Sequence, residues 1–293
     1  MFVVVKDHER YYGPELADVD PARIVIQPAN RGTAAAVLYG LTRLNRFERD
    51  AVTAFFPSDH HFADEKGFRK ALETASETVR QHPELLVVLG AKAEDPEVGY
   101  GWIQPGERLD DDRRNNAPVF RVNRFWEKPS SSLAKLLLSR GCLWNTFVVL
   151  GRNRTFWQLL RSTMPEVVKS FEAISDSTDE TDEYARATEL YEQLPTADFC
   201  QEVLTHSAER LAVLRIDQAG WGDLGTPKGV LAAINRSAPI AASAGAVSRE
   251  ASSHSESQSA PGAFTEWLAA YCHRLEEICQ TSAANKSRGD RTS

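Results

Sequence analysis

Short apolar runs alternate with helical patterns through residues 2–89, and this alternation constrains the fold more than any other feature. Apolar runs separated by helices of period 3.6 are typical of βαβ units, in which helices cover both faces of a parallel sheet. We therefore predict an α/β fold with a mixed, mostly parallel sheet and helices on both faces. The predicted strands are Phe2–Val5, Arg23–Ile26, Ala51–Phe56 and Leu85–Leu89, and the predicted helices are Ala34–Leu44 and Phe68–Val79.

The pattern changes after residue 99 and indicates a mixed α/β extension of the same domain. Helices are predicted near residues 130–140, through much of 154–204, and at 226–235, where Thr226 precedes a proline as helix caps often do. The further strands are predicted at Gly99–Ile103, Val119–Glu127, Cys142–Leu150 and Leu211–Ile216.

The chain beyond residue 236 has a different composition. Of the 27 residues 237–263, 16 are Ser or Ala, so we predict a flexible linker there. Residues 264–280 place apolar side chains at i, i+3, i+4 and i+7, which predicts an amphipathic helix. This helix packs on its own core or forms a contact between subunits of a homo-oligomer. We expect residues 1–236 to form one domain and 281–293 to be a disordered tail.

Charge and cysteine content exclude several classes of protein. The 41 acidic and 34 basic side chains give a net charge of −7, which argues against a nucleic-acid partner. The four cysteines form no CxxC pair and no zinc-ligand spacing, so neither a disulfide framework nor a structural zinc is predicted. No apolar stretch reaches the roughly 20 residues that cross a bilayer, and no export signal follows Met1. We expect a cytoplasmic protein with no membrane partner.

A polar loop follows the predicted strand that ends at Ile26. It contains Gln27, Asn30, Arg31, Gly32 and Thr33, and it leads directly into a helix. The backbone N–H groups at a helix start, the helix dipole and an arginine are together suited to an anion or the edge of a nucleobase. The alternative is an ordinary turn in which Thr33 caps the helix.

Two aspartates lie far apart in sequence but in similar settings. Asp59 follows a predicted strand, and Asp223 lies in a glycine-rich turn. Mg²⁺ is usually held by one or two carboxylates together with substrate phosphates, so the pair could share one such ion. A zinc site at His60 and His61 fits less well, because adjacent side chains point apart. The alternative for Asp223 is a simple turn residue.

A further set of polar residues lies at the ends of three later strands. Glu127 can accept hydrogen bonds from sugar hydroxyls while the adjacent Lys128 meets a phosphate. Asn145 lies in an apolar strand and must find polar partners there. Gly101, after Tyr100, leaves room for a ring against the backbone. The alternatives are a surface ion pair at Glu127 and Lys128 and a β-bulge at Gly101.

The order of these motifs resembles the sugar-1-phosphate nucleotidyltransferases, and most closely the mannose-1-phosphate guanylyltransferases. The resemblance covers roughly residues 2–235. Its motifs are Gln-Pro-x-Asn-Arg-Gly-Thr-Ala, Phe-Pro-Ser-Asp-His, Gly-Tyr-Gly-Trp-Ile, Glu-Lys-Pro, Trp-Asn-Thr and Trp-Gly-Asp-Leu-Gly-Thr. It implies a Rossmann-like, GT-A-like nucleotidyltransferase domain that joins GTP and mannose 1-phosphate into GDP-mannose and pyrophosphate.

The resemblance also implies roles for individual residues. Asp59 and Asp223 would hold Mg²⁺, and Lys128 would hold the sugar phosphate, which makes these three the catalytic set. The hexose would lie against four residues, and the nucleotide would lie near the polar loop, with Arg31 matching the arginine of the guanylyltransferase form. The hexose-site residues are Tyr100, Gly101, Glu127 and Asn145, and the nucleotide-site residues are Gln27, Asn30, Arg31, Gly32 and Thr33.

Two departures from the family pattern bear on activity. The family's first strand and its loop Gly-Gly-x-Gly-x-Arg-Leu have no match in residues 1–293, which begin at what matches the second strand. We therefore expect an unfilled slot in the sheet and impaired transfer, because several phosphate contacts would be lost. The second departure is Trp-Asn-Thr-Phe at residues 144–147, where the family usually has Trp-Asn-Ser-Gly.

Three functional hypotheses follow. Residues 1–293 belong to a longer guanylyltransferase, or they form a catalytically inactive relative that binds nucleotide-sugars or has a regulatory role. A glycosyltransferase that holds a metal through Asp110, Asp111 and Asp112 is the weakest hypothesis, because that triplet lies in a polar loop.

Overall fold

The computed structural model describes residues 1–48, 50–109, 118–175, 180–217, 220–225 and 229–230. The chain divides into two compact units, Met1–Asp7 with Pro21–Ile240, and His8–Asp20 with Ala241–Ser293. The predicted linker, amphipathic helix and tail, the aspartates 110–112, and all of the predicted helix at 226–235 except residues 229 and 230 lie outside the described residues. Within the described residues, no helix combines the length and the apolar character needed to span a membrane.

Ten strands and seven helices are present in the described residues. The strands are β1 (Phe2–Val5), β2 (Ile24–Gln27), β3 (Val52–Phe55), β4 (His60–Phe62), β5 (Leu86–Lys92), β6 (Trp102–Arg108), β7 (Val119–Trp126), β8 (Leu143–Arg152), β9 (Leu211–Ile216) and β10 (Trp221–Asp223). The helices are α1 (Glu9–Tyr12), α2 (Gly32–Leu44), α3 (Glu65–Gln81), α4 (Ser131–Ser139), α5 (Asn153–Thr163), α6 (Pro165–Ser175) and α7 (Glu180–Gln193). A π-helical turn follows at Cys200–Leu204.

The main sheet has six strands in the order β3-β8-β5-β9-β7-β6, while β1–β2 and β4–β10 form two-stranded sheets. The α/β class is confirmed, but the prediction of mostly parallel pairing is wrong. Among the described strands only β1–β2 and β5–β9 pair in parallel. The reason is that β8, from late in the chain, lies antiparallel between β3 and β5, and that β7 lies antiparallel to both β6 and β9. Periodicity shows which segments are strands but not which strand is inserted between two others.

Helices cover both faces of the main sheet, as predicted. Leu86 and Val88 of β5 belong to a large apolar core with buried residues of α2, α5, α6 and α7. Val87 and Leu89 point to the opposite face because side chains alternate along a strand, and both are fully buried. Helix α3 contacts β5, β8 and β9 but contributes no residue to that first core, which places it on the opposite face.

Strands β1 and β3 each have one edge with no strand partner among the described residues. β1 pairs with β2 and β3 pairs with β8. Both strands lie near the same helix: a Cβ added to Gly40 of α2 would lie 3.2 Å from Val3 Cγ2 and 3.6 Å from Phe55 Cε1. Strands β1 and β3 therefore pack on the same helix but belong to different sheets.

A buried ion pair anchors α7 to α2. Glu183 is fully buried, and its Oε1 accepts hydrogen bonds from Arg43 Nε and Nη2 at 3.1 and 2.9 Å. Its second carboxylate oxygen pairs with Arg46. Burial, and then the charge of Glu183, raise the pKa of the neighbouring Tyr39 phenol. These contacts anchor the start of α7. Near the other end of the same helix, Tyr191 contacts the polar loop described below.

Candidate functional site

Strand register explains how the polar ends of β6, β7 and β8 meet. Trp102 of β6 is aligned both with Trp126 of β7 and with Trp144 of β8. The neighbouring residues Gly101 and Asn145 are joined by the backbone bond from Asn145 N to Gly101 O, at 2.8 Å. Glu127, the residue after Trp126, lies beside them. Gly101 precedes β6, and the register shifts of β6 begin only at Gln104, so the alternative of a bulge at Gly101 is wrong.

Glu127 is nine-tenths buried, and its two carboxylate oxygens are in different situations. Oε1 pairs with Lys128 Nζ at 3.2 Å, and the side chains of Glu127 and Lys128 are 10% and 59% exposed. Oε2 is buried and has no hydrogen-bond partner among the described residues. Burial, and then the charge of Asp198, raise the pKa of Glu127. A Cβ at Gly101 would lie 2.7 Å from Oε2, so the glycine keeps open the space in front of this oxygen.

Lys128 occupies a left-handed backbone conformation with φ of 46°. Its N–H donates to Tyr100 O at 3.3 Å, which ties the end of β7 to the residues before β6. Partial burial lowers the pKa of the Lys128 ammonium, but the hydrogen bond and charge of Glu127 and the charge of Asp198 raise it on balance. The ammonium is therefore charged at neutral pH.

A bulge in β8 lies directly after Asn145, which itself pairs with Gly90. The β5–β8 register shifts from Val88 opposite Val149 to Gly90 opposite Asn145. Within this bulge Phe147 has φ of 58°, and its N–H donates to Asn145 Oδ1 at 3.1 Å. Phe147 stands where the resembling family usually has glycine, the residue that adopts such a conformation without strain.

Two residues that the sequence analysis did not identify complete this group. Asp198, Cys200 and Glu127 each have a potential ligand atom within 4.8 Å of the others, and Asn145 Nδ2 donates to Cys200 Sγ at 3.3 Å. Burial raises the pKa of the Cys200 thiol, which is therefore neutral. We call Glu127, Asn145, Asp198 and Cys200 the acceptor cluster. No motif in the sequence marks Asp198 or Cys200, because they follow a helical region with no strand-end signal.

The structure places Asp59 and Asp223 close together. Strand β4, which begins directly after Asp59, pairs antiparallel with β10, which ends at Asp223, and Asp223 lies opposite His60. The sequence analysis predicted neither strand. A Cβ at Gly225 would lie 2.9 Å from Asp59 Oδ2 and 3.0 Å from Asp223 Oδ1. The Asp59 side chain is 56% exposed. We call these two residues the aspartate pair.

Aromatic rings connect the aspartate pair with the acceptor cluster. Trp221 lies edge-on to His60 and to Tyr100, with centroids 5.4 and 5.2 Å apart, and Tyr100 lies edge-on to Trp144 at 5.4 Å. Burial lowers the pKa of His60, although Asp59 and Asp223 oppose this shift. The neutral His60 ring reaches the Thr146 carbonyl with Nδ1 at 2.9 Å.

The polar loop at residues 27–33 bonds to the protein more fully than the sequence suggested. Gly32 N donates to Asn30 Oδ1 at 3.0 Å and Ala34 N donates to Ala197 O at 3.1 Å. These N–H groups are therefore not available to an anion. The alternative in which Thr33 caps the helix is also wrong, because α2 begins at Gly32.

Side chains of the same loop are held by α7 and by the segment that follows it. Buried Gln27 Oε1 accepts from Tyr191 Oη at 3.1 Å, and Arg31 Nε donates to Tyr191 O at 2.7 Å. Thr33 Oγ1 accepts from Phe199 N at 2.8 Å. Phe199 lies between Asp198 and Cys200, so one short segment contacts both the polar loop and the acceptor cluster.

Comparison with known proteins identifies the family to which this site belongs. The family model described as nucleotidyl transferase matches residues 4–238. The chain belongs to the nucleotidyl transferase family. The match begins within β1 and contains every later strand and helix described above, so both the acceptor cluster and the aspartate pair lie within the nucleotidyl transferase region.

Two curated proteins similar to this chain are 30% and 27% identical to it. A mannose-1-phosphate guanylyltransferase of Sinorhizobium fredii is 30% identical over 230 residues, which are 76% of this chain and 43% of the relative. Xanthan biosynthesis protein XanB of Xanthomonas campestris is 27% identical over 229 residues, 76% of this chain and 46% of the relative. The chain thus spans less than half the length of these curated relatives.

A solved structure shares the fold. The crystal structure named mannose-1-phosphate geranyltransferase, from Thermus thermophilus, superimposes with a TM-score of 0.64 and 28% sequence identity. The superposition covers 76% of this chain and 60% of the other. The resemblance to sugar-1-phosphate nucleotidyltransferases is therefore confirmed at the level of the family and the fold.

Proposed function

We propose that this nucleotidyl transferase chain carries out mannose-1-phosphate guanylyltransferase chemistry, in which GTP and mannose 1-phosphate give GDP-mannose and pyrophosphate. The observation that carries the proposal is the joint presence of the aspartate pair and the acceptor cluster, linked by the rings of Tyr100 and Trp221. One group suits a metal that binds phosphates, and the other suits a sugar.

The aspartate pair fits Mg²⁺. Both ligands are carboxylates, the donor type that Mg²⁺ prefers, and Asp59 is open to solvent. Solvent access matters because Mg²⁺ usually keeps several waters. The missing Cβ of Gly225 leaves space beside both carboxylates. When bound, the ion would neutralise charge on the triphosphate.

In the proposed reaction, an oxygen of the sugar phosphate forms a bond to the α-phosphorus of GTP. The bond from that phosphorus to the oxygen bridging to the β-phosphate breaks, and pyrophosphate leaves with the electron pair. No general base is needed because the attacking phosphate is already an anion. The contribution of the protein is to position and neutralise phosphates.

Lys128 is the residue that we assign to the sugar phosphate. Its ammonium is charged and exposed, while the neighbouring Glu127 is buried with one free acceptor oxygen. The two together can hold a phosphate at the entrance and a sugar hydroxyl inside. Tyr100 and Gly101 would border the hexose, and Asn145 would offer its remaining amide hydrogen.

We assign the nucleotide to the neighbourhood of the polar loop, through side chains instead of the helix start. Asn30 is exposed. Among the described residues the Arg31 side chain is bonded only through Nε, to Tyr191 O, so its terminal nitrogens are available there for guanine. Gln27, Gly32 and Thr33 hold the loop in position through the contacts described above. Mannose and guanine are proposed from the resemblance and the names of the relatives.

A second candidate is a relative that binds nucleotide-sugars or has a regulatory role and does not catalyse nucleotidyl transfer. The observation that favours it is the departure at Phe147, which has φ of 58° where the resembling family usually has glycine. Both candidates use the same acceptor cluster, so sugar binding does not separate them, whereas turnover does.

The test is pyrophosphate release by the 293-residue chain with Mg²⁺, mannose 1-phosphate and each of the four nucleoside triphosphates in turn. We expect the largest release with GTP and its loss in Asp59→Ala. Binding of GDP-mannose, measured by calorimetry, is determined on the same preparation. Binding of GDP-mannose without pyrophosphate release supports the second candidate. A folded chain that shows neither binding nor pyrophosphate release contradicts both candidates.

A further inference from the structure

We propose that Asp198 is a second carboxylate acceptor for the hexose, which binds one sugar hydroxyl beside the hydroxyl bound by Glu127. This inference rests on the proposed function, because it assigns a sugar to the acceptor cluster. It adds a specificity-determining residue that neither the sequence motifs nor the resemblance identified.

The composition of the acceptor cluster indicates which kind of ligand it binds. Glu127 Oε2 is an unpaired acceptor in a side chain that is only 10% exposed. One carboxylate oxygen of Asp198 lies within 4.8 Å of a carboxylate oxygen of Glu127. An unpaired buried acceptor is unfavourable, so the ligand must supply hydrogen-bond donors. A second carboxylate at this distance indicates a ligand with two neighbouring donors, as on a sugar ring.

Asp198 is held in place independently of any ligand. Its Oδ1 accepts from Gln201 N at 3.0 Å, at the start of the π-helical turn Cys200–Leu204. Its Oδ2 accepts no hydrogen bond from the described residues and can receive one from a ligand. A carboxylate fixed at one oxygen does not have to be ordered when a ligand binds, which favours tight and selective hydrogen bonding.

Hydroxyl groups fit the cluster better than a metal ion, although Glu127, Asp198 and Cys200 include possible metal ligands. The Cys200 thiol is neutral and already accepts the hydrogen bond from Asn145 Nδ2. The charged Lys128 ammonium lies 3.2 Å from Glu127 Oε1, where it would repel a second cation. A neutral polyol meets neither obstacle.

The test measures binding of mannose 1-phosphate and its four monodeoxy analogues by calorimetry, with the full chain and with Asp198→Asn. Asparagine keeps an oxygen for Gln201 and so keeps the cap. We expect Asp198→Asn to bind mannose 1-phosphate about 10- to 100-fold more weakly, the effect of one charge-assisted hydrogen bond. One analogue should show the same loss with the unaltered chain and no further loss with the variant.

The matched control is Asp217→Asn, because Asp217 is an exposed aspartate paired with Arg215 on the surface. It should bind mannose 1-phosphate as the unaltered chain does. A thermal unfolding midpoint for each variant separates loss of binding from loss of fold.

Three results would overturn the inference. Equal binding by Asp198→Asn and the unaltered chain would leave the proposed function standing but remove the role of Asp198. Failure of the unaltered chain to bind any hexose 1-phosphate would remove the proposed function as well. Stoichiometric binding of Zn²⁺ alone, lost in Cys200→Ala, would make the cluster a metal site.

Discussion

The acceptor cluster and the aspartate pair both present carboxylates, but they do so in opposite surroundings. Glu127 directly follows strand β7 and is nine-tenths buried, and burial is the main cause that raises its pKa. Asp59 lies on a connection between short strands, with 56% of its side chain exposed. A carboxylate is thus buried away from water in the acceptor cluster and exposed to water in the aspartate pair.

This difference teaches what each ligand requires. A sugar hydroxyl is a weak donor, and its hydrogen bond is worth more to a desolvated carboxylate. A magnesium ion keeps much of its hydration, so its ligands have to lie where water can reach. Burial therefore separates the two chemistries more clearly than residue type does.

The largest expected effect concerns the aspartate pair. Asp59→Asn should weaken binding of Mn²⁺, a paramagnetic substitute for Mg²⁺, by at least about 100-fold, because loss of a direct ligand exceeds the usual effect of a supporting residue. The free ion is measured by electron paramagnetic resonance. The surface variant Asp217→Asn should bind Mn²⁺ normally. Unchanged affinity in Asp59→Asn would show that the aspartate pair is not the metal site.

The next effect concerns the space in front of Glu127. In Gly101→Ala the new methyl group would lie 2.7 Å from Glu127 Oε2 and must displace the carboxylate. Mannose 1-phosphate should then bind about 10- to 100-fold more weakly in calorimetry, through loss of one charge-assisted hydrogen bond. Gly99→Ala is the control, since its nearest neighbour, Glu97 Oε1, is at an ordinary 3.5 Å. Equal losses in both variants would contradict this explanation.

A smaller effect concerns how much a buried and an exposed carboxylate each change the stability of the fold. Glu127→Gln should stabilise the fold at neutral pH by roughly 0.5–2 kcal/mol, because it removes a buried charge while Lys128 remains largely in solvent. The folded state raises the pKa of Glu127, so acidification protonates the buried carboxyl and the advantage of the glutamine shrinks as pH falls.

Urea unfolding at a series of pH values measures this advantage. Asp59→Asn serves as the exposed counterpart and should change stability little at any pH. If the stability advantage of Glu127→Gln over the unaltered chain grew as the pH fell, this would contradict a raised pKa of Glu127 in the folded state.

The smallest effect concerns the backbone that positions Asn145. Phe147 has φ of 58°, which costs a side-chain-bearing residue about 1 kcal/mol or more. Phe147→Gly should therefore be more stable than Phe147→Ala by roughly 1 kcal/mol, the reverse of the usual order. Urea unfolding of the two variants isolates the backbone term, because both lack the ring that packs against Phe199. A more stable alanine variant would show that the bulge relaxes.

Prediction from sequence was most successful where the information is local. Phe2–Val5 and Leu211–Ile216 are strands with the predicted bounds, and the other long strands are shifted by one to five residues at their ends. Apolar runs and helical periods are properties of neighbouring residues, so they can be recognised without the fold. The short strands β4 and β10 were not predicted, because three residues carry no periodicity.

The sequence by itself determined the α/β class, the helices on both faces, and the motifs whose order resembles the family. It also marked Asp59, Asp223, Glu127 and Asn145 as chemically notable. What it could not determine was the insertion of β8 between β3 and β5 and the position of β7 between β9 and β6, which together made the main sheet mostly antiparallel.

Only the tertiary structure placed Asp198 and Cys200 beside Glu127 and showed that the N–H groups of Gly32 and Ala34, at the start of α2, are already bonded. The physical reason is that burial and hydrogen-bond partners come from segments far apart in the chain. A carboxylate becomes a desolvated acceptor or a solvated metal ligand through those neighbours, and not through the residues beside it in sequence.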